Sequence, residues 1–142
     1  MNTIKILLNV LLFVSISACS QAQGDIPKEV KEAFEKKYPS HKDVEWNVDD
    51  HGFYEADFKL DGEKYRADFE KSGVWVETEN SIKYDDLPDV VKDVIKEGYD
   101  KDEITEIEHV QNAEKGEFFD VEFKRKGKNK DVMITPSGKI IH

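Results

Sequence analysis

The stretch Phe53-Tyr54-Glu55-Ala56-Asp57-Phe58-Lys59-Leu60, followed by Asp61-Gly62 and then by Tyr65, Ala67 and Phe69, decides how this chain folds. From Tyr54 onward apolar and charged residues alternate with a period of two, the signature of strands with one face buried and one face wet. Asp-Gly between two such runs is the composition of a tight hairpin turn. The pattern returns at an offset of 65, where Phe118-Phe119-Asp120-Val121-Glu122-Phe123 lies on Phe53 to Phe58, Gly127 on Gly62, and Ser137-Gly138 on Ser72-Gly73.

Working outward, Val44, Trp46 and Val48 alternate with Glu45, Asn47 and Asp49 before the turn Asp50-His51-Gly52, and Lys71-Ser72-Gly73 leads into a fourth strand, Val74 to Glu79. Upstream, Val30, Phe34 and Tyr38 recur at helical spacing, as do Val91, Ile95 and Tyr99 at an offset of 61. Pro27 and Pro88 suit a helix's first turn, Asp25 and Asp86 suit its positive end, and Pro39 ends the first helix. The change of offset from 61 to 65 places four extra residues in the second unit's first strand or the turn after it. Its strands are expected near Thr105 to Gln111, Glu117 to Arg125, Lys130 to Thr135 and Lys139 to Ile141.

The expected fold is therefore α+β: a tandem repeat of a helix plus four antiparallel strands, residues 26–79 and 86–142, joined by Asn80 to Asp86. Both helices pack on the apolar face of one antiparallel sheet, and the charged face is left to water.

The chain has 142 residues, and its first part reads as an export signal. Lys5 precedes an apolar run from Ile6 to Ile16 that is too short for a permanent membrane span, and small residues follow. Two cleavage readings stay open. Ile16-Ser17-Ala18-Cys19 is a lipobox-like sequence in which Cys19 would be lipidated, whereas Ser20-Gln21-Ala22 suits an ordinary signal peptidase. The domain assignment is a signal peptide over 1–22 and a single domain over 23–142, located in the periplasm or on the outer membrane of a Gram-negative bacterium. Cys19 is the only cysteine, so no disulfide staples the folded part.

Net charge is −10, and Lys5 is the only charge in the first 24 residues, so the mature part is more acidic still. Such a surface repels nucleic acid and anionic lipid; it leaves the membrane reachable only through an anchor at Cys19. No catalytic constellation stands out. His41, His51, His109 and His142 are scattered, Ser72 and Ser137 are turn residues, and neither a glycine-rich phosphate loop nor a nucleophile elbow is present. The expectation is a chain that is not an enzyme.

Trp46, Tyr54 to Phe58, Asp61-Gly62, Tyr65, Phe69 and Gly73-Val74-Trp75, behind a helix that opens on Ile26-Pro27 and ends at Tyr38-Pro39, resemble the PepSY-like family, also described as β-lactamase-inhibitor-like. The resemblance runs from Ile26 to the C-terminus. It implies a small exported protein of the Bacteroidetes type that binds an extracytoplasmic protein through the exposed sheet face as an inhibitor or regulator. The second unit departs from the pattern where Arg125, Lys130 and Met133 replace Leu60, Tyr65 and Asp68.

By parity, Phe53, Trp75 and Phe118 should point to the charged face, with Arg66 among them, and these four are the candidate protein-binding residues for an unknown periplasmic partner. The acidic residues there, Glu55, Asp57 and Asp68 above all, are the candidates for calcium in the alternative reading of a calcium- or small-ligand-responsive sensor. No other cofactor is expected. Interleaved Lys59, Arg66 and Lys124 fit a solvated mixed-charge face better than a calcium loop.

Overall fold

The structure, a computed structural model, describes residues 25–125 and 128–142; the export segment, Cys19 and Gly127 lie outside them. Two helices, α1 (Lys28–Lys37) and α2 (Asp89–Gly98), are each followed by four strands. These are β1 (Lys42–Val48), β2 (Tyr54–Leu60), β3 (Glu63–Phe69) and β4 (Trp75–Ser81), then β5 (Ile104–Asn112), β6 (Gly116–Arg125), β7 (Lys128–Ile134) and β8 (Ile140–Ile141). They form one antiparallel sheet in sequential order from β1 to β8. Short 3₁₀ turns at Tyr84–Asp86 and Lys101–Glu103, which the hydrophobic pattern does not announce, lead into α2 and β5.

Each helix buries one stripe. Val30, Phe34 and Tyr38 of the first unit meet Ala56, Phe58, Ala67 and Phe69, with Trp46, Tyr54 and Tyr65 around them. Phe34 is the hub: its ring lies 5.1 Å from Trp46, 5.1 Å from Phe58 and 5.4 Å from Tyr38, mostly edge to face. Leu87, Val91 and Ile95 meet Ile107, Phe119, Val121, Phe123, Val132 and Ile134 in a second core. Both helices lie on the same face, because Ala67 pairs with Thr78, Thr78 with Gln111, and Gln111 belongs to the same parity as Ile107.

The prolines sit one place earlier than expected. Pro27 and Pro88 precede the first helical residue, and their carbonyls accept from Lys31 and Lys92 at 3.1 and 3.0 Å. Asp86 serves a different contact, accepting the backbone N–H of Lys83 at 3.2 Å. Glu29 in the first turn of α1 and Lys36 and Lys37 in its last complement the helix dipole.

The β5–β6 hairpin is longer than the β1–β2 hairpin, where the sequence offset changes from 61 to 65. Asp49 faces Phe53 across a short turn, whereas Val110 faces Phe118 and pairing continues to Asn112 opposite Gly116. The added length supplies part of what β4 pairs with, since Glu77 lies opposite Asn112 and Thr78 opposite Gln111. A side-chain bond from Asn112 to Glu77, at 2.8 Å, closes the same junction.

The turns after β3 and β7 press on the helices in matching ways. A Cβ on Gly73 would stand 2.6 Å from the Glu29 carbonyl oxygen, and one on Gly138 would stand 2.6 Å from a Val90 methyl; both glycines have positive φ, +85° and +83°. Gly52, at φ +87°, has open space around it. Gly73→Ala and Gly138→Ala should therefore each cost more than Gly52→Ala, whose penalty is the left-handed backbone alone, about 1–2 kcal/mol. Urea unfolding of the three variants measures the order.

Candidate functional site

The face opposite the helices is built by strand parity. Reading across the register, Asp57, Arg66, Glu79, Val110 and Phe118 form one row, and Glu55, Asp68, Glu77 and Asn112 form the next. Glu108, opposite Asp120 and followed by Met133, belongs to a third. Within the rows, side chains on adjacent strands are direct neighbours.

Arg66 organises this face. Its guanidinium meets Glu79, and lies 3.5 Å from Glu55 and 3.6 Å from Glu108. One cation on β3 thus serves carboxylates on β2, β4 and β5, the planar multi-donor role that arginine fills and lysine does not. Asp57, opposite Arg66, accepts from the Asn47 amide at 3.3 Å.

Asp68 is left out of that arrangement. It is only 8% exposed, stands opposite Glu55 on one side and Glu77 on the other, and its Oδ1 accepts no hydrogen bond from any described residue. Burial, then the charges of Glu55, Glu77 and Asp49, push its carboxyl up to about 7, against the pull of Arg66. Asp120 likewise has a buried Oδ1 without a partner among the described residues, and burial raises it, followed by Asp131. Glu55 and Glu108 are raised by burial too, with Arg66 opposing.

The structure does not bring the predicted aromatic patch together. Trp75 is on the helix side. A bulge in β4 sets Phe69 opposite Trp75 but Asp68 opposite Glu77, so parity inverts between Trp75 and Glu77. Trp75 packs against the first core, donates its indole N–H to Thr78 Oγ1 at 2.8 Å, and carries Lys37 Nζ 3.8 Å above its ring. Thr78 also bonds Tyr38, which ties the end of α1 to β4. Phe53 does lie on the charged face, half-buried and stacked on His51. Phe118 is on that face as well but only 4% exposed, beside Val110 and beneath Lys115 Nζ at 6.0 Å. Four strand spacings, about 19 Å, separate β2 from β6, so Phe53 and Phe118 are not one patch.

Of the calcium candidates, Glu55 and Asp68 face each other and Asp57 faces Arg66. Among the described residues no group of three His, Cys, Asp or Glu side chains is arranged to hold a metal ion. Three of the four histidines have structural neighbours: His41 with the Tyr38 carbonyl, His51 with Asp49, His109 with Glu117. Sequence reading missed Glu79 and Glu108 as Arg66 partners. Their parity was legible, but their rows depend on the β4–β5 register.

A family model described as "Putative beta-lactamase-inhibitor-like, PepSY-like" matches residues 20–63 and 52–142. The fold is similar to that of a BLIP-like protein from Bacteroides fragilis, at 22% identity over 82% of this chain and 84% of that one, with a TM-score of 0.72. It is also similar to a structure from Bacteroides eggerthii described among "putative periplasmic proteins", at 23% identity over 84% and 88%, with a TM-score of 0.73. None of the curated proteins matches. At these identities the structural likenesses speak to the fold.

Two outcomes follow from the site. Phe118→Ser should destabilise the protein by about 3 kcal/mol or more, as truncation of a buried aromatic does; Trp75→Ser, which removes a half-buried ring packed on the first core and its bond to Thr78, should cost less than that, and Phe53→Ser least, in the same chemical denaturation series. The raised carboxyl of Asp68 sets the sign of a pH effect. Below its ordinary value of 3.8 both folded and unfolded chains hold the proton and there is no penalty. As pH rises through about 7 the folded chain must ionise a buried group, and that part of its stability is lost. Asp68→Asn should thus melt with wild type near pH 4 and above it by roughly 3–8 °C at pH 8, read by calorimetry.

Proposed function

The chain belongs to the PepSY-like family, and on that premise we propose that it is an exported, non-catalytic binding module that engages an extracytoplasmic protein through the sheet face opposite the helices. We infer as well that its two units are copies of one motif. The matching sequence of elements, the equivalent placement of Gly73 and Gly138 against α1 and α2, and the two segments of the family match support that reading.

The observation that carries the binding role is the contrast between the two faces. Both α-helices lie on one side, while the other side holds an organised row of charges around Arg66 and a nearly buried Phe118. A rigid sheet of this kind presents fixed side chains to a partner with little ordering cost. The lipobox-like segment ending at Cys19 and the periplasmic description of the Bacteroides eggerthii structure support an exported location. The BLIP-like description of the Bacteroides fragilis structure supports an inhibitory or regulatory role.

Asp57 is exposed in the middle of β2 on this face, and Lys31 is exposed on α1. Cross-linking capture from native periplasm should recover a partner with wild type and with Lys31→Trp, and lose it with Asp57→Trp, whose bulky ring blocks the face whatever the chemistry of the contact. Capture that survives Asp57→Trp and fails with Lys31→Trp would move the binding surface to the helices.

A further inference from the structure

The two cores meet solvent at matching places, and only the first is closed there by a large ring. In the first unit Trp75 opens β4 after the turn at Gly73, opposite Phe69, and its indole packs on the core beneath Lys37, the last residue of α1. In the second unit Ile140 opens β8 after the turn at Gly138, opposite Ile134, and the last residue of α2 is Gly98. The turn glycines mark these places as equivalent. Gly73 lies against Ala33 and Gly138 against Val94, each one helical turn before the end of its helix.

Where the first unit has an indole under an ammonium group, the second has a groove of about 340 Å³ lined by Val94, Glu97, Gly98, Tyr99, Lys130 and Ile140. It is open to solvent: Ile140 is 39% exposed, Val94 and Tyr99 are half-buried, and Glu97, Gly98 and Lys130 are exposed. Val90, exposed beside Gly138, extends its apolar wall along α2. Single apolar residues on a surface are ordinary, whereas an apolar groove with a few polar groups on its rim is how binding sites are built.

The rim defines the chemistry that fits. Lys130 Nζ stands 5.2 Å over the Tyr99 ring and can cover a second ring entering beside it, as Lys37 covers Trp75 at 3.8 Å. Glu97 offers a carboxylate to an indole N–H, the part that Thr78 plays for Trp75. A cation for the ring face and an anion for its donor are charge complementarity to an indole; an aliphatic side chain uses neither. The volume is at the small end for a ligand site and suits one bicyclic ring. Trp46 and Trp75, the only tryptophans of the chain, both pack on the first core, so a second copy has no such ring to offer. The adjoining backbone gives the ring's carrier a place. β7 runs from Lys128 to Ile134, but β8 pairs only with Met133 and Ile134. Because the Thr135 N–H bonds the Lys139 carbonyl, alternation turns the backbone groups of Asn129 and Asp131 toward the same edge, where no strand lies among the described residues. On a strand added there, the residue opposite Lys130 shares the helix side with the groove.

We propose that this groove is the docking site for a tryptophan side chain of a partner protein, carried on an extended segment that pairs with the open edge of β7. The groove is on the helix side, so Asp57→Trp leaves it intact, and it stands or falls separately from the outer face.

The probe is the capped pentapeptide Thr-Thr-Trp-Thr-Thr, compared with its twin carrying leucine. In a methyl and amide NMR titration of the isotope-labelled protein at millimolar peptide, the tryptophan peptide should give ring-current shifts at the Val94 and Ile140 methyls and move the Gly98 and Lys130 amides. The leucine twin should give neither. Ile140→Trp supplies the groove with the chain's own indole, as in the first unit; it should melt no lower than wild type and weaken the peptide about tenfold. Lys130→Gln, which leaves the groove open and removes the cation, should weaken it about two- to fivefold. If Ile140→Trp unfolds the chain, Lys130→Gln and the leucine twin decide. Equal binding of the leucine peptide, unchanged affinity in Lys130→Gln, shifts confined to residues outside the groove, or no shifts at millimolar peptide would each overturn the inference. Free indole that binds as tightly as the peptide would give the groove to a small aromatic molecule and remove the protein partner.

Discussion

Two ten-residue helices, each about 15 Å long, can cover one side of an eight-stranded sheet and no more. That constraint organises the rest of the molecule. Nearly every apolar side chain that helps to hold the fold has to reach the helix side, Val110 and Phe118 being buried on the other, and Phe34 and Ile95 belong to the two cores that result. The opposite side must then satisfy its backbone within the sheet and its side chains among themselves or with solvent. It does so with charge, because alternation along each strand leaves charged residues at the outward positions.

The two cores touch different strands, so the junction between the halves rests on β4 and β5. Backbone pairing from Glu77 to Ser81 against Glu108 to Asn112 makes the sheet continuous, and the longer β5–β6 hairpin supplies part of that pairing. Arg66 crosses the same seam on the outer side, from β3 to Glu79 and Glu108. The element that joins the halves is therefore also the element that assembles the charged site. Asp68 sits where this arrangement runs short of cations, and the protein tolerates the cost because the two cores on the other side are apolar and buried.

Much of the fold was legible in the residues. The alternation of Tyr54, Ala56 and Phe58, the helical spacing of Val30, Phe34 and Tyr38, and the two offsets lead to the observed elements within a few residues. The site was less legible. Trp75 shares its parity with Glu77 along the chain, yet the bulge opposite Phe69 turns the indole into the first core, where Thr78 and Lys37 receive it. Phe118 has the expected side but is nearly buried there, beside Val110 on the neighbouring strand, where Phe53 faces Asp49 instead.

By itself the sequence determined parity and periodicity: which side chains of a strand share a side, and which stripe of a helix is apolar. A pleated strand and an α-helix impose those patterns whatever the surroundings. Only the tertiary structure decided which outward groups stand beside one another, that Arg66 would serve Glu79 and Glu108, and that Asp68 would be buried without a partner. Those outcomes depend on register between strands distant in sequence and on one bulge, and backbone hydrogen bonding settles both only once the sheet is assembled.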